Sequence, residues 1–273
     1  MQPFQTASDE FHSSVALDAS TVDDVTVTVG VKTTRQGELD ILETIYEYAT
    51  ENDFKPFYNK ANSLDPTADR EFIGYLISEA QDHLAAYAHT HEGSAQTQQV
   101  EAVHSAIIVN DIYASGEEPL VLVDGGGQKA KPFVRAYSGL RTASPSTAHC
   151  IKAELYYPAA LLADLTANFM ATRIANGTYD YSEPLLRAPL AKQTRSNEWG
   201  PAYSAFYSSN ATYEPVALPH HRGDTVRERI RCWFDGAVAP QNAPTPETDS
   251  ITPIVNYARQ NGYENVATIL SGL

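Results

Sequence analysis

Val121-Leu122-Val123-Asp124-Gly125-Gly126 and Lys152-Ala153-Glu154-Leu155-Tyr156-Tyr157-Pro158 are the two stretches whose reading decides the fold. The first is a short apolar run that ends on a carboxylate and turns on glycine, which predicts a buried strand with Asp124 at its tip. The second places Glu154 just ahead of a helix that can begin at Pro158, since proline suits the first helical position. Upstream, Val15-Ala16-Leu17-Asp18 repeats the arrangement, with Asp18 closing an apolar run. Three acids at strand ends are the donor set of a divalent-metal site, because hard cations prefer oxygen ligands and a sheet holds them at fixed separation. For any one acid the plainer reading is a turn residue after a strand.

Working outward, residues 14–34 predict a β-hairpin. Val25, Val27, Val29 and Val31 alternate with Thr26, Thr28 and Gly30, and Thr21-Val22-Asp23-Asp24 supplies the turn. Residues 37–48 and 69–89 carry apolar residues at three- and four-residue spacing and predict amphipathic helices. Residues 96–114 suit a helix better than a strand, although Ala106-Ile107-Ile108-Val109 has strand composition. Further strands are expected around Phe133–Tyr137 and at Cys150–Ala153, then a helix from Pro158 to about Ala175. Beyond residue 178 the chain turns rich in proline, serine and tyrosine. It continues into Arg227-Glu228-Arg229-Ile230-Arg231-Cys232-Trp233-Phe234, which suits an edge strand with a helix as the alternative, and a proline-rich connector over 239–252 precedes a short helix at 253–270. The expected organisation is a core over 1–177 and a C-terminal extension, largely irregular, over 178–273.

The 273 residues carry 34 acidic against 19 basic side chains, a net charge of −15. Such a surface repels phosphate over most of its area, so a nucleic-acid function requires a local basic patch or bridging metal. The acidic, lysine-poor composition is read as adaptation to a salt-filled cytoplasm rather than as an acidic interaction surface. Cys150 and Cys232 fit neither a disulfide framework nor a zinc knuckle, the amino terminus has no secretory pattern, and no run approaches the ~18 apolar residues of a membrane span. A cytoplasmic protein is expected.

In order along the chain, the acid-bearing hairpin, the Asp-Gly strand and the Lys-Ala-Glu segment before a proline-initiated helix resemble the ribonuclease H superfamily, and within it ribonuclease HII. The matching stretches are Val15–Ser20, Val121–Gly125 and Lys152–Ala163. The resemblance implies an α/β mixed sheet flanked by helices, with Asp18, Asp124 and Glu154 as carboxylates for Mg²⁺ or Mn²⁺ and phosphodiester hydrolysis by two metal ions. Where that family's first motif continues with glutamate and then Gly-Arg-Gly, this chain has Ala19 and Ser20, so the ribonuclease HII substrate preference does not carry over. The chain also resembles NurA-type nucleases, which have a helical glutamate ahead of the Asp-Gly strand, a place that Glu101 fills. The implied partner is nucleic acid, with a protein partner as a second expectation. Lys152 and the row Arg227, Arg229 and Arg231 are candidate phosphate contacts, and a salt-bridged edge strand is the equal alternative for the arginines. The competing class is a non-catalytic nucleic-acid-binding or assembly protein on the same fold, for which Ala19 is the main argument.

Other signals point to plainer roles. His83, His89 and His91 near Asp82 fit no common zinc spacing, and His220-His221 suit a surface loop. Gly125-Gly126-Gly127-Gln128-Lys129 lacks the ending of a P-loop. Tyr203, Phe206, Tyr207 and Tyr213 offer rings for stacking on bases, against a packed loop as the ordinary explanation.

Overall fold

The structure is a computed structural model. It describes residues 13–34, 37–38, 40–41, 43–44, 84–94, 96–155, 157–179, 191–193, 199–216, 252–260 and 262–271. The hairpin forms as the sequence predicts: β1 (Ser13–Val22) pairs antiparallel with β2 (Val25–Thr34), from Ser13 opposite Thr34 to Val22 opposite Val25. Only Asp23 and Asp24 are left for the turn, and Asp23 takes a φ of 51°, a left-handed conformation that aspartate tolerates better than most side chains.

The sheet grows from both edges of this hairpin. β3 (Leu84–Glu92) pairs antiparallel with β2, and β4 (Leu120–Asp124) pairs parallel with β1. β5 (Thr147–Cys150) lies parallel to β4, and β6 (Ala191–Gln193) parallel to β3. Among the described residues the six strands run in the order β5-β4-β1-β2-β3-β6. Parallel β1 and β4 demand a long crossover, which passes through β2, β3 and helix α1 (Thr97–Ala114). The result is the α/β mixed sheet with flanking helices that the ribonuclease H resemblance implies.

Both faces of the sheet are covered, which is why the valine–threonine alternation of β2 is buried on both sides: Val27, Val29 and Val31 at 0%, Thr28 at 1%. α1 packs on one face, and the second long helix, Pro158–Ala175, packs on β1 and β2 from the other. Gly30 marks the tight approach of α1. A Cβ there would sit 2.7 Å from Ile108 Cγ2 and 3.2 Å from Leu17 Cδ2, so glycine is needed for packing space. Helix α2 (Gly127–Tyr137) follows β4 directly, and α3 is the Pro158–Ala175 helix, with proline at its first position as predicted. Glu38, itself buried, accepts from the Ala159 N–H at 3.0 Å and places a negative charge at the start of α3.

Four expectations are corrected. Residues 84–89 are strand, where the periodicity predicts helix; Ala86 and Ala88 lie flat against the sheet at 0% exposure, and pairing with the β2 backbone outweighs alanine's helix propensity. Phe133–Tyr137 is the end of α2 rather than a strand. Its buried Ala130, Phe133, Val134 and Tyr137 follow helical spacing, despite Pro132 inside the helix. The strand expected at Cys150–Ala153 occupies Thr147–Cys150 instead, followed by a turn with Lys152 at φ 58° and a 3₁₀ turn at Ala153–Leu155. The C-terminal helix is two, α5 (Thr252–Gln260) and α6 (Glu264–Ser271), separated at Gly262, whose φ of 85° ends a helix. The sequence also gave no sign of α4 (Trp199–Ser208), which packs on α1 and α2. Residues 37–38, 40–41 and 43–44 are helical as expected. Most of the expected 69–89 helix, the arginine strand and the 239–252 connector fall outside the described residues, as do His83, His220, His221, Arg227, Arg229, Arg231 and Cys232.

Candidate active site

Asp18 and Asp124 come together because of strand register. Leu17 of β1 is level with Val123 of the parallel β4, so the next residues, Asp18 and Asp124, stand side by side where β4 ends; Asp124 is the last residue of β4, whereas β1 runs on to Val22, so Asp18 lies within its strand rather than at the strand end that the sequence predicts. They line a cleft with Gln98 and Glu101 of α1 and Lys129 of α2. Glu101 reaches it because the first turns of α1 lie over the strand ends. Lys129 reaches it because the chain turns sharply after Asp124: Gly125 adopts a φ of 115°, and a Cβ there would lie 2.9 Å from Lys129 Cδ. The lysine stem therefore lies across the glycine and returns its ammonium to the acids, 3.6 Å from Glu101 Oε2.

The charges act on each other. Burial, then the neighbouring Asp124 and Asp164, push the Asp18 carboxyl well above its ordinary range; the Ala19 N–H, which donates to Asp18 Oδ1 at 2.8 Å, and Lys129 oppose this. Glu101 is also raised, chiefly by burial, and Lys129 again opposes. For Lys129, burial works to lower its value, but Glu101, Asp18 and Asp124 prevail and hold the ammonium charged. Lys129 is thus the resident counter-charge of the cluster. Asp164, on α3, is an acid that the sequence reading missed. It lies in the middle of an otherwise apolar helical stretch, an unusual place for a charge, and that was the available signal.

Glu154 occupies the 3₁₀ turn, is buried at 7% exposure, and is not among the residues lining the cleft. It is joined to the site through the backbone: the N–H of its neighbour Ala153 donates to Asp124 Oδ1 at 2.7 Å. Asp124 and Glu154 flank Cys150, whose thiol is pushed up to about 12 by burial first and then by these two carboxylates. Lys152 is exposed on the preceding turn. The donor chemistry of Asp18, Asp124, Glu101 and Asp164 suits a hard divalent cation. Among the described residues, however, no group of three or more His, Cys, Asp or Glu side chains is gathered closely enough to hold one.

The remaining candidates resolve structurally. His89 is buried beside His104, with ring centroids 5.4 Å apart, and His91 stacks on Trp199 at 5.7 Å, so these histidines take part in aromatic packing. His104, missed in the sequence, is held well below its usual value by burial and by His89 and His91. Tyr213 hydrogen-bonds His149 Nδ1 at 2.6 Å and packs against the core, whereas Tyr203 and Tyr207 are exposed on α4. No described helix is long and apolar enough to cross a membrane.

Among solved structures the likeness is weak. A chain of the PCNA:RNase HII complex from Archaeoglobus fulgidus aligns over 64% of this chain and 82% of its own, at 14% identity and a TM-score of 0.39. No family model and no curated protein matches the sequence. The fold assignment rests on the strand order and directions described above.

Proposed function

We propose that this protein is a metal-dependent nuclease, hydrolysing phosphodiester bonds at the cleft between β1, β4 and α1. The observation that carries the reading is the side-by-side placement of Asp18, within β1, and Asp124, at the end of the parallel neighbour β4, with Glu101 lining the same cleft from α1. Asp18 and Asp124 would hold Mg²⁺ or Mn²⁺, with Glu101 across the cleft as the nearest further donor; the ion would supply charge neutralisation at the scissile phosphate and a more acidic water. The chain's own residues do the positioning. The sheet fixes the two aspartates in register, the Ala19 N–H orients Asp18, the Ala153 N–H orients Asp124, and Lys129 offsets the acids' mutual repulsion.

The second reading is a non-catalytic nucleic-acid-binding or assembly protein. Ala19, in place of a second acid on β1, and a cluster already balanced by Lys129 support it. The two separate in one comparison of wild type with Asp124→Asn on single-stranded DNA, duplex DNA and RNA–DNA hybrid, with Mn²⁺ or chelator. Hydrolysis that needs the ion and falls at least ~100-fold in the variant supports the nuclease. Equal cleavage by both proteins, or none together with no ion-dependent rise in wild-type melting temperature, rejects it.

A further inference from the structure

Beside the acid cleft lies a second groove, between α2 and α4, lined by Gln98, Gln128, Lys131, Arg135, Phe206 and Tyr207. Gln98 lines both depressions and stands between them. At the wall of this second groove lies a gap in the α2 hydrogen-bond ladder. Pro132 has no N–H to give to the carbonyl of Gln128, four residues earlier, and that oxygen instead accepts from Gln98 Nε2 at 3.1 Å. Along one face of α2, Gln128, Lys131 and Arg135 follow at helical spacing, all exposed. Across the groove α4 presents Tyr207, 58% exposed, with Phe206 behind it and their rings edge to face at 5.0 Å.

Two features give the groove its chemistry. Neither Lys131 nor Arg135 is paired with a carboxylate among the described residues, although the chain carries a net charge of −15. Uncommitted cations in so acidic a protein make a local positive field where an anion can approach. In the same groove an exposed aromatic ring offers a flat face beside the cations, the pairing of phosphate contact and stacking platform that unpaired nucleotides fit. A duplex turns its base faces inward and could use only the cations.

We propose that the α2–α4 groove is a binding track for single-stranded nucleic acid, with Lys131 and Arg135 on the phosphates and Tyr207 stacked on a base, delivering the strand past Gln98 to the acid cleft. The proposal rests on the phosphodiester reading of that cleft for its purpose, but its binding test does not.

The test is fluorescence polarisation with a labelled oligothymidine of about 15 nucleotides, a length that spans one such platform, in chelator so that no cleavage occurs. Wild type is expected to bind the single strand more tightly than a duplex of equal length. Lys131→Gln with Arg135→Gln should weaken binding at least ~10-fold and flatten the dependence of log K on log salt by about 1.4, or 0.7 per lost phosphate contact. Tyr207→Ala should weaken it about 10-fold with the salt slope unchanged, and Tyr207→Phe should restore it, because stacking needs the ring and not the hydroxyl. All three side chains, Lys131, Arg135 and Tyr207, are exposed, so melting temperatures are expected to match wild type. Absent binding, equal affinity for duplex, or variants that bind like wild type would each overturn the track. Asp124→Asn separates the two proposals. If it hydrolyses like wild type while the groove variants lose binding, the nuclease reading falls and the track stands. If it loses hydrolysis while the groove variants bind normally, the track alone falls.

Discussion

Replacing Lys129 with methionine keeps the length of the side chain and removes its charge, which isolates what the ammonium does among the acids. At 3.6 Å from Glu101 and an effective dielectric of ~20, Coulomb's law gives about 4.6 kcal/mol for the pair. That figure is gross. The Lys129 side chain is 39% exposed and that of Glu101 19%, so solvent screening brings the net loss to about 1–3 kcal/mol. Asp18 and Asp124 lose the same counter-charge, which favours the upper half of the range. For a chain of this size about 2 kcal/mol corresponds to a fall of roughly 4–8 °C in melting temperature. The assay is thermal unfolding at neutral pH, low ionic strength and with chelator, repeated with Mg²⁺ or Mn²⁺. The divalent ion is expected to raise the variant's melting temperature more than that of wild type, because it enters a cluster that has lost its own cation. Lys129→Arg, which keeps the charge, should lie close to wild type. The difference should also narrow as pH falls through the raised carboxyl values of Glu101 and Asp18, where the acids become neutral. Equal melting temperatures for wild type and Lys129→Met in chelator, or no extra gain from the divalent ion, would refute the account of Lys129 as resident counter-charge.

Asp18→Asn is expected to stabilise the protein at neutral pH. The folded-state value of Asp18 is raised, so the folded state binds more protons than the unfolded between the ordinary 3.8 and that raised value, and stability falls as pH rises through this window. Urea unfolding at acid and neutral pH should show the advantage of Asn vanish below the window, and an advantage that persists there would mean another cause. Gly125→Ala should cost about 1–3 kcal/mol, since its φ of 115° is strained for any side chain and the new Cβ would press on Lys129 Cδ at 2.9 Å. A melting temperature unchanged from wild type would contradict that turn geometry.

The parts of the fold that were legible in the sequence are those where local chemistry and tertiary setting agree. The β1–β2 hairpin declares itself through four alternating valines, the β4 strand through an apolar run cut off by Asp-Gly, and α3 through Pro158. The failures have a common cause. Leu84–Glu92 and Gly127–Tyr137 have compositions that suit either state, and their structure is settled by what they lie against: the free edge of β2 in the first case, the core beneath α1 in the second. Of the site, Asp124 was readable as a strand-end acid and Glu101 as a helical one, while Asp18 was found as the acid closing an apolar run although its strand continues to Val22. Their partnership with Lys129 was not, because Gly-Gly-Gly-Gln-Lys reads as a loop until α2 is known to begin at Gly127. Asp164 was hidden by its apolar surroundings, and the groove cations by the expectation of a strand around Phe133.

The hydrogen bond from the Ala153 N–H to Asp124 Oδ1 makes one carboxylate answer to two masters. One oxygen pins the turn that carries Glu154, while the carboxylate's charge belongs to the cleft. Mutations at this position therefore divide by kind rather than by size. Asparagine keeps a carbonyl oxygen for the pin and loses only the charge, so the turn stays in place while the electrostatics change. Alanine and serine remove the pin as well, and any inactivity they cause would confound a displaced Glu154 with a missing charge. Across a lineage that abandoned catalysis but kept the architecture, asparagine is the replacement that selection on folding alone would retain at this position.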